Sequence, residues 1–403
     1  MNNRLALTFI LLTVGIDAMG IGLILPVMPG LITEIEGGTL SEAAVWGGVL
    51  STAFAVMQFL FAPLLGALSD RFGRRPVLLA SLLVMALDYV VMALAGAMWI
   101  LLAGRLVGGV TAATHSTAMA YVADISKPHE KAARFGLVGA GFGVGFVLGP
   151  VLGGMLAEYG TRAPFWAAAA LALANAALGA FVLRETVTDA IRRPFSAARA
   201  NPFGALRQVS ALPGLGALIT VYFLYQVASM VYPAIWAYFT TLRFGWSEAT
   251  VGLSLGIYGA FFGLVQGLAV RPAMARLGYR GTVLFAFGVD IIALVLVGLL
   301  TSGTMVLWLI PFMALGAVGL PAIQGTMSAV IADDAQGELQ GVLTSVTSFA
   351  MIVTPLAMTQ VFAWFTRPDA VLYLPGAPFL LSALLMVLCT VLFLRSSVPS
   401  SPH

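Results

Sequence analysis

Runs of apolar residues, each about twenty positions long, follow one another along the chain with only short polar segments between them. A helix needs about 20 apolar residues to cross the hydrocarbon core of a bilayer, so each run predicts one membrane span. No ten-residue pattern of alternating hydrophobicity indicates a transmembrane barrel. The twelve predicted spans lie at about residues 5–29, 43–68, 75–95, 98–123, 132–157, 163–184, 213–241, 248–274, 281–301, 304–331, 338–365 and 374–395.

Composition supports a chain that is surrounded by lipid. Of the 403 residues, 60% are hydrophobic and 9% are charged, whereas a soluble domain has roughly 25% charged residues. The single cysteine, Cys389, falls in the last predicted span and excludes a disulfide framework. The first apolar run could be taken for a signal peptide, but it continues past twenty residues and contains Asp17, so we expect a retained span.

The basic residues predict how the chain is oriented. With both termini in the cytoplasm, sixteen of the twenty Lys and Arg residues fall in cytoplasmic segments, as the positive-inside rule requires. The basic clusters therefore need no nucleic-acid partner to explain them. We expect a multi-pass protein of a bacterial inner (cytoplasmic) membrane, with the lipid bilayer as its surroundings.

The chain is expected to fold as two six-helix lobes, residues 1–184 and 213–403, joined by a polar linker at 185–212 that contains prolines and charges. A weak internal repeat supports this division. Residues displaced by 205 positions match between the halves: Arg71 and Arg276, Gly73 and Gly278, Arg75 and Arg280, Pro150 and Pro355. Parallel repeats of this kind usually give two lobes with a central site between them.

Ionisable residues inside predicted spans are the first candidates for chemistry. A charged side chain at mid-bilayer costs at least about 2.5–3.5 kcal/mol, so it must face a cavity or a partner. The candidates for proton coupling are Asp17, Asp88, Arg105, His115 and Asp290. A carboxyl group removed from water is easier to protonate and can carry a proton in exchange for a substrate. The alternatives are a buried carboxylate paired with Arg105, and a neutral His115 that is hydrogen-bonded at a helix contact.

Aromatic and amide side chains in the spans are candidates for binding a flat, partly polar ligand. The predicted substrate-binding residues are Gln58, Gln226, Tyr232, Trp236, Phe262, Gln266 and Gln324. Ordinary packing explains some of them equally well. In the fifth span, Gly141, Gly145, Gly149 and Gly153 recur at every fourth position. Such a stripe allows close helix approach, and Pro150 favours a kink.

Several motifs together resemble the major facilitator superfamily. GALSDRFGRRP at 66–76 resembles its loop between spans two and three, RLVGGVTAAT at 105–114 its span-four signature, and GFVLGPVLGG at 145–154 the span-five signature of its drug–proton antiporters. Across nearly the whole chain the sequence is most similar to bacterial tetracycline exporters.

The resemblance implies roles for two groups of residues. The first would form a charge cluster that holds the cytoplasmic side closed: Asp70, Arg71, Gly73, Arg74 and Arg75. The second would form the antiporter motif: Gly145, Gly149, Pro150, Gly153 and Gly154. Three positions depart from the exporters: Phe262 replaces a histidine associated with proton coupling, Met230 a second glutamine, and Thr33 a frequent arginine.

The leading hypothesis is therefore a proton-coupled secondary active exporter of small amphipathic compounds, with tetracycline-like drugs among the candidates. Its partners would be a small-molecule substrate and protons; it would need no cofactor or metal and would function as a monomer. The alternative is a proton-coupled symporter or facilitator for a small metabolite. A membrane enzyme or receptor is disfavoured, because the sequence has three histidines, one cysteine and no phosphate-binding loop.

Overall fold

A computed structural model describes residues 3–112, 114–188, 192, 201–202, 215–331 and 335–396. Most of the predicted linker lies outside these residues. The α-helices of the described part are α1 Asn3–Ile24, α2 Met28–Glu36, α3 Leu40–Phe72, α4 Arg74–Leu94, α5 Met98–Thr111, α6 Thr114–Ile125, α7 Lys131–Ala157, α8 Ala163–Val182, α9 Gly216–Ser229, α10 Val231–Phe244, α11 Glu248–Leu268, α12 Val270–Leu299, α13 Gly303–Ala314, α14 Gly319–Ser328, α15 Gln336–Thr366 and α16 Ala377–Arg395.

The described residues contain eleven helical stretches long and apolar enough to cross a bilayer. The predicted fourth span is covered instead by α5 and α6, two shorter helices that are separated at Ala112. The all-α membrane fold predicted from the sequence is thus confirmed, and a total of twelve spans is consistent with these helices.

In two interrupted spans, a glutamine side chain binds a backbone carbonyl at the interruption. The carbonyl of Ala112, at the end of α5, accepts a hydrogen bond of 3.2 Å from the side-chain amide of Gln58 in α3. Between α13 and α14 lies the 3₁₀ segment Leu315–Val318, and the carbonyl of its Ala317 accepts a hydrogen bond of 2.9 Å from Gln266 in α11. A backbone carbonyl freed from a helix needs such a partner at membrane depth.

The chain groups into two compact units, and each contains most of one predicted lobe together with a short segment of the other. Unit 1 consists of Met1–Thr39, Leu50–Pro202 and Ser247–Gly256, and unit 2 of Leu40–Val49, Phe203–Trp246 and Ile257–His403. The lobe boundaries at 184 and 213 stay a prediction.

Each unit has its own apolar core. In unit 1, Phe9, Ile10 and Val14 of α1 pack with Leu78 of α4 and Tyr121 of α6. In unit 2, fully buried phenylalanines fill the space between helices, and the rings of Phe287 in α12 and Phe393 in α16 meet edge to face at 6.1 Å. Buried aromatic side chains of this size contribute much of a core's packing energy.

The internal repeat is visible in the backbone. Gly73, between α3 and α4, has φ 114° and ψ 153°. Gly278, displaced by 205 residues, interrupts α12 with φ 67° and ψ 175°. Residues with a side chain rarely adopt a positive φ, so the same sharp change of direction needs glycine at both places.

The glycine stripe predicted in the fifth span packs α7 directly against α1. A methyl group added to Gly145, Gly149 or Gly153 would clash with backbone carbonyls of α1. The carbonyls met along the stripe, from Gly141 to Gly153, belong to Leu11, Gly15, Met19 and Leu23, which also follow at every fourth residue. The predicted close helix approach is therefore confirmed.

Candidate functional site

A cavity of about 120 Å³ lies within unit 2 and collects several of the predicted residues. Asp290 of α12, Gln226 of α9, Tyr232 of α10 and Phe262 of α11 line it. Their helices supply one wall each, because each side chain lies on the face of its helix that is turned toward the others. The cavity therefore brings a carboxylate, an amide and aromatic rings together.

Asp290 reaches this cavity because its neighbour on the next span has no side chain. A methyl group at Gly316, which also lines the cavity, would collide with the Asp290 carboxylate. In the described part of the chain, no ion pair joins Asp290 to a basic residue. The carboxylate thus lies in a largely apolar environment without a cation to balance it, which makes it suited to bind a proton or a cationic group.

Aromatic rings surround much of the same cavity. Tyr232 and Tyr258 stack with ring centroids 6.2 Å apart, and Tyr258 lies 6.1 Å from Phe262. Trp236 approaches Tyr232 at 6.0 Å but is only 4% exposed, and it packs against Phe379. Trp236 therefore supports the aromatic wall from behind and does not line the cavity itself.

The amides of unit 2 form hydrogen bonds near the cavity. Gln226 donates to the hydroxyl of Thr347 at 3.1 Å, and Gln324 donates to the hydroxyl of Tyr222 at 3.4 Å. Tyr222 and Thr347 share a hydrogen bond of 3.0 Å. This network links α9, α14 and α15. Gln266 stands apart from it, since its amide binds the Ala317 carbonyl.

In unit 1, Arg105 of α5 forms an ion pair with Asp88 of α4. Both residues are buried, with 8% and 2% of their surfaces exposed. The guanidinium also lies over the ring of Phe54 at 5.0 Å and 3.0 Å from the sulfur of Met92. A cavity of about 300 Å³ with mainly apolar walls reaches Asp88 between α4 and α5. The pairing that the sequence left open thus involves Asp88, and Asp17 stays separate from it.

Asp17 of α1 has a buried carboxylate oxygen without a hydrogen-bond partner in the described residues. Its neighbourhood includes Tyr89 of α4, whose hydroxyl lies against Gly20 one turn along α1. In the described residues no ion pair joins Asp17 to a basic side chain. His115, by contrast, is exposed on α6 and meets the ring of Phe142 edge-on at 5.6 Å.

The turn between α3 and α4 carries a charge cluster, here called the turn cluster and made up of Asp70, Arg74, Asp124 and Glu185. Arg74 binds Asp70 at 2.5 Å and Asp124 at 3.2 Å. Glu185 accepts hydrogen bonds from the backbone N–H groups of Arg74 at 2.9 Å and of Arg75 at 3.2 Å. A carboxylate at this place satisfies the free donors of a helix start and the positive end of its dipole.

The remaining predicted residues of this turn take separate positions. Arg75 donates to the carbonyl of Ala180 at 2.7 Å, whereas Arg71 is exposed and lies over the ring of Phe72. The sequence pattern alone does not single out Asp124 and Glu185. The sequence does contain a signal that could identify them. Each is an acidic residue at the polar end of a predicted span, and both spans come after the basic GRR motif in the chain.

The family model of the Major Facilitator Superfamily matches residues 10–315. The chain belongs to the major facilitator superfamily. It is 43% identical over 363 residues to the tetracycline resistance protein, class C, of Escherichia coli, covering 90% of this chain and 91% of that protein. The class G protein of Vibrio anguillarum is 42% identical, with coverage of 92% and 95%. The crystal structure of the human organic anion transporter MFSD10 (TETRAN) superposes with a TM-score of 0.69 at 26% identity, covering 98% of this chain and all of that one.

These findings confirm the resemblance predicted from the motifs. As a member of the major facilitator superfamily, the chain is a multi-pass membrane transporter for small molecules. The roles assigned to the individual site residues stay predictions. The structure groups Asp290, Gln226, Tyr232 and Phe262 around one cavity, whereas Gln58 and Gln266 bind the carbonyls of the two interrupted spans.

Proposed function

We propose that this transporter exports small amphipathic compounds from bacterial cells in exchange for protons, by alternating access. The single observation that carries the proposal is the carboxylate of Asp290, which lines a cavity among aromatic rings and an amide without a basic partner in the described residues. The same group can hold either a proton or a cationic part of a substrate. Binding of one therefore excludes the other, which is the requirement for antiport.

The similarity to two tetracycline resistance proteins supports drugs as the substrate class and export as the direction. Tetracycline-like drugs are the first compounds to test. The proton gradient is a sufficient energy source: it supplies about 1.4 kcal/mol per pH unit and about 2.3 kcal/mol per charge and 100 mV of membrane potential. We place the protein in the inner membrane as a monomer with both termini in the cytoplasm, an orientation that the basic residues favour.

Asp17 is proposed as a second proton-binding group, since one of its carboxylate oxygens is buried without a partner in the described residues. Asp88 is proposed to act differently. Because Asp88 already pairs with Arg105, its role would be to fix α4 against α5 and to keep the Arg105 charge in place. A variant of Asp88 should therefore impair folding as well as transport, whereas Asp290→Asn should impair transport alone.

The test uses everted membrane vesicles that are energised by respiration and loaded with a fluorescent pH indicator. Addition of tetracycline should release protons from vesicles with the wild-type protein and not from vesicles with Asp290→Asn. Glu36→Gln is the matched control, because Glu36 is an exposed carboxylate at the end of α2 and its loss should leave the response unchanged. Proton release of equal size in Asp290→Asn vesicles would show that the coupling group lies elsewhere.

The direction of transport needs a separate measurement. Intact cells producing the protein should accumulate less labelled drug than control cells, and an uncoupler should abolish the difference. Higher accumulation in the producing cells would instead identify a symporter or facilitator.

A further inference from the structure

The cavity of unit 2 combines one carboxylate with rings on several sides. Tyr225, Tyr232, Tyr258 and Phe262 all line it together with Asp290. Ring faces carry negative partial charge and attract cations within about 6 Å. The rings and the carboxylate therefore favour the same sign of charge in a bound group.

The cavity lacks the features of a metal site. Magnesium and calcium are held by several oxygen ligands, usually two or more of them carboxylates or phosphates. In the described residues, no group of three or more His, Cys, Asp or Glu side chains converges, and Asp290 is the only acidic side chain that lines this cavity. A strongly hydrated ion would have to give up its bound water to enter the cavity. Phenyl and phenol rings cannot replace those water ligands. A weakly hydrated organic cation loses far less.

The size of the cavity indicates which part of a molecule fits. Its volume of about 120 Å³ is several times the space of about 30 Å³ that one water molecule takes up. A substituted ammonium head group therefore fits. Phe262 is 38% exposed, so the remainder of an amphipathic ligand can continue along that ring.

We propose that this cavity binds the head group of an organic monocation, a tertiary or quaternary ammonium group, with Asp290 as its counter-ion and the rings of Tyr232, Tyr258 and Phe262 as cation–π partners. The inference rests on the proposed function only for the statement that the bound compound is exported. The cavity would select substrates by charge and by the shape of the head group. Amphipathic amines would bind, whereas neutral molecules of the same shape and organic anions would not.

The experiment measures binding to the purified full chain in lipid nanodiscs without any gradient. Tritiated benzyltrimethylammonium is the bound compound, followed by scintillation proximity. Three unlabelled competitors are compared: choline, its carbon isostere in which a tert-butyl group replaces trimethylammonium, and the anion benzenesulfonate. Choline should displace the labelled compound at a concentration at least about tenfold lower than its neutral isostere needs. Equal competition by the neutral isostere, or by benzenesulfonate, would overturn the proposal.

Variants then locate the site. Asp290→Asn should weaken binding of benzyltrimethylammonium by about tenfold or more. Tyr258→Leu should weaken it too, whereas Tyr258→Phe, which keeps the ring, should bind like the wild type. Glu36→Gln removes an exposed carboxylate outside the cavity and is the control. Unchanged binding in both Asp290→Asn and Tyr258→Leu would place the cation elsewhere and refute the assignment. The comparison of competitors uses the wild type alone and stands even if a variant does not fold.

Failure of this inference and failure of the proposed function give different results. Cation-selective binding without proton release in energised vesicles would support the head-group site and remove the antiport mechanism. Asp290-dependent proton release on addition of tetracycline, without preference for choline over its neutral isostere, would leave antiport standing and remove the ammonium site.

Discussion

Loss of Arg105 should destabilise unit 1 strongly, because it would leave the carboxylate of Asp88 buried and alone. Asp88 is 2% exposed, and the structure gives it an ion pair with Arg105. Removing one partner of a buried pair costs about 3–5 kcal/mol. For a unit of 150–250 residues, each kcal/mol corresponds to about 2–4 °C in the unfolding midpoint. Arg105→Gln should therefore lower the first thermal transition by about 6–20 °C.

The assay is thermal unfolding of the purified protein in detergent, followed by far-ultraviolet circular dichroism. Asp88→Asn and the double variant Asp88→Asn/Arg105→Gln complete a mutant cycle. The double variant should lose less stability than the sum of the two single variants, with a coupling energy of about 0.5–3 kcal/mol. Glu34→Gln removes one partner of an exposed ion pair, with Arg162 at 3.1 Å, and should cost about 0–1 kcal/mol.

Two results would refute this reasoning. If the effects of Asp88→Asn and Arg105→Gln are simply additive, the two charges do not depend on each other for stability. If Arg105→Gln shifts the midpoint no more than Glu34→Gln does, burial of the pair has no measurable energetic consequence.

Three further outcomes are expected. Gly145→Leu should lower the free energy of unfolding by about 1–3 kcal/mol or more, measured by the same thermal assay, because its side chain would enter the backbone of α1. Glu185→Gln keeps an acceptor oxygen but loses the negative charge, so it should weaken the start of α4 by about 0.3–1 kcal/mol, seen as faster amide hydrogen exchange there. Cys389, which is fully buried, should react with a maleimide dye only as the protein unfolds, so that the labelling rate and the loss of helix rise together with temperature.

Each of these outcomes has its own control. Gly143 lies on the same helix as Gly145 with open space around it, so an equal loss in Gly143→Leu would mean that close packing is not the cause. Glu158→Gln is the control for Glu185→Gln, because Glu158 is an exposed carboxylate at the end of α7. Its loss should leave the amide hydrogen exchange of α4 unchanged. Fast labelling of Cys389 at low temperature would contradict its burial.

The sequence predicted the positions of the helices well, since the thickness of the bilayer dictates the length of each apolar run. It also placed Asp290, Tyr232 and Phe262 on neighbouring spans of the second half. It could not predict how Asp290 enters its cavity, because that depends on Gly316 in another helix. A glycine can occur in an apolar span for many reasons. Only the packing of α12 against the 3₁₀ segment shows that Gly316 leaves space for the Asp290 carboxylate.

The interruption of the fourth span is not predictable from the sequence for a related reason. The residues GVTAAT contain no proline, and nothing in them requires a helix to end. The break is held by Gln58, which is far away in sequence and reaches the Ala112 carbonyl across the helix contact. From its residue type, Gln58 itself is predicted to be a substrate ligand. An amide in a membrane span serves a backbone carbonyl as readily as a substrate, and the sequence pattern does not distinguish the two.

The two glutamine-bound carbonyls also relate the interrupted helices of the two halves to each other. Ala112 and Ala317 are displaced by the same 205 residues as Gly73 and Gly278. Their donors are not: Gln266 lies three residues beyond the position equivalent to Gln58, which is about one helical turn along the same face. The two halves therefore place a backbone carbonyl at the same position of the repeat and bind it with the same kind of donor, at sites about one turn apart. Exchanging Gln266 for another residue would leave the Ala317 carbonyl without its donor even though position 263, the equivalent of Gln58, is unchanged.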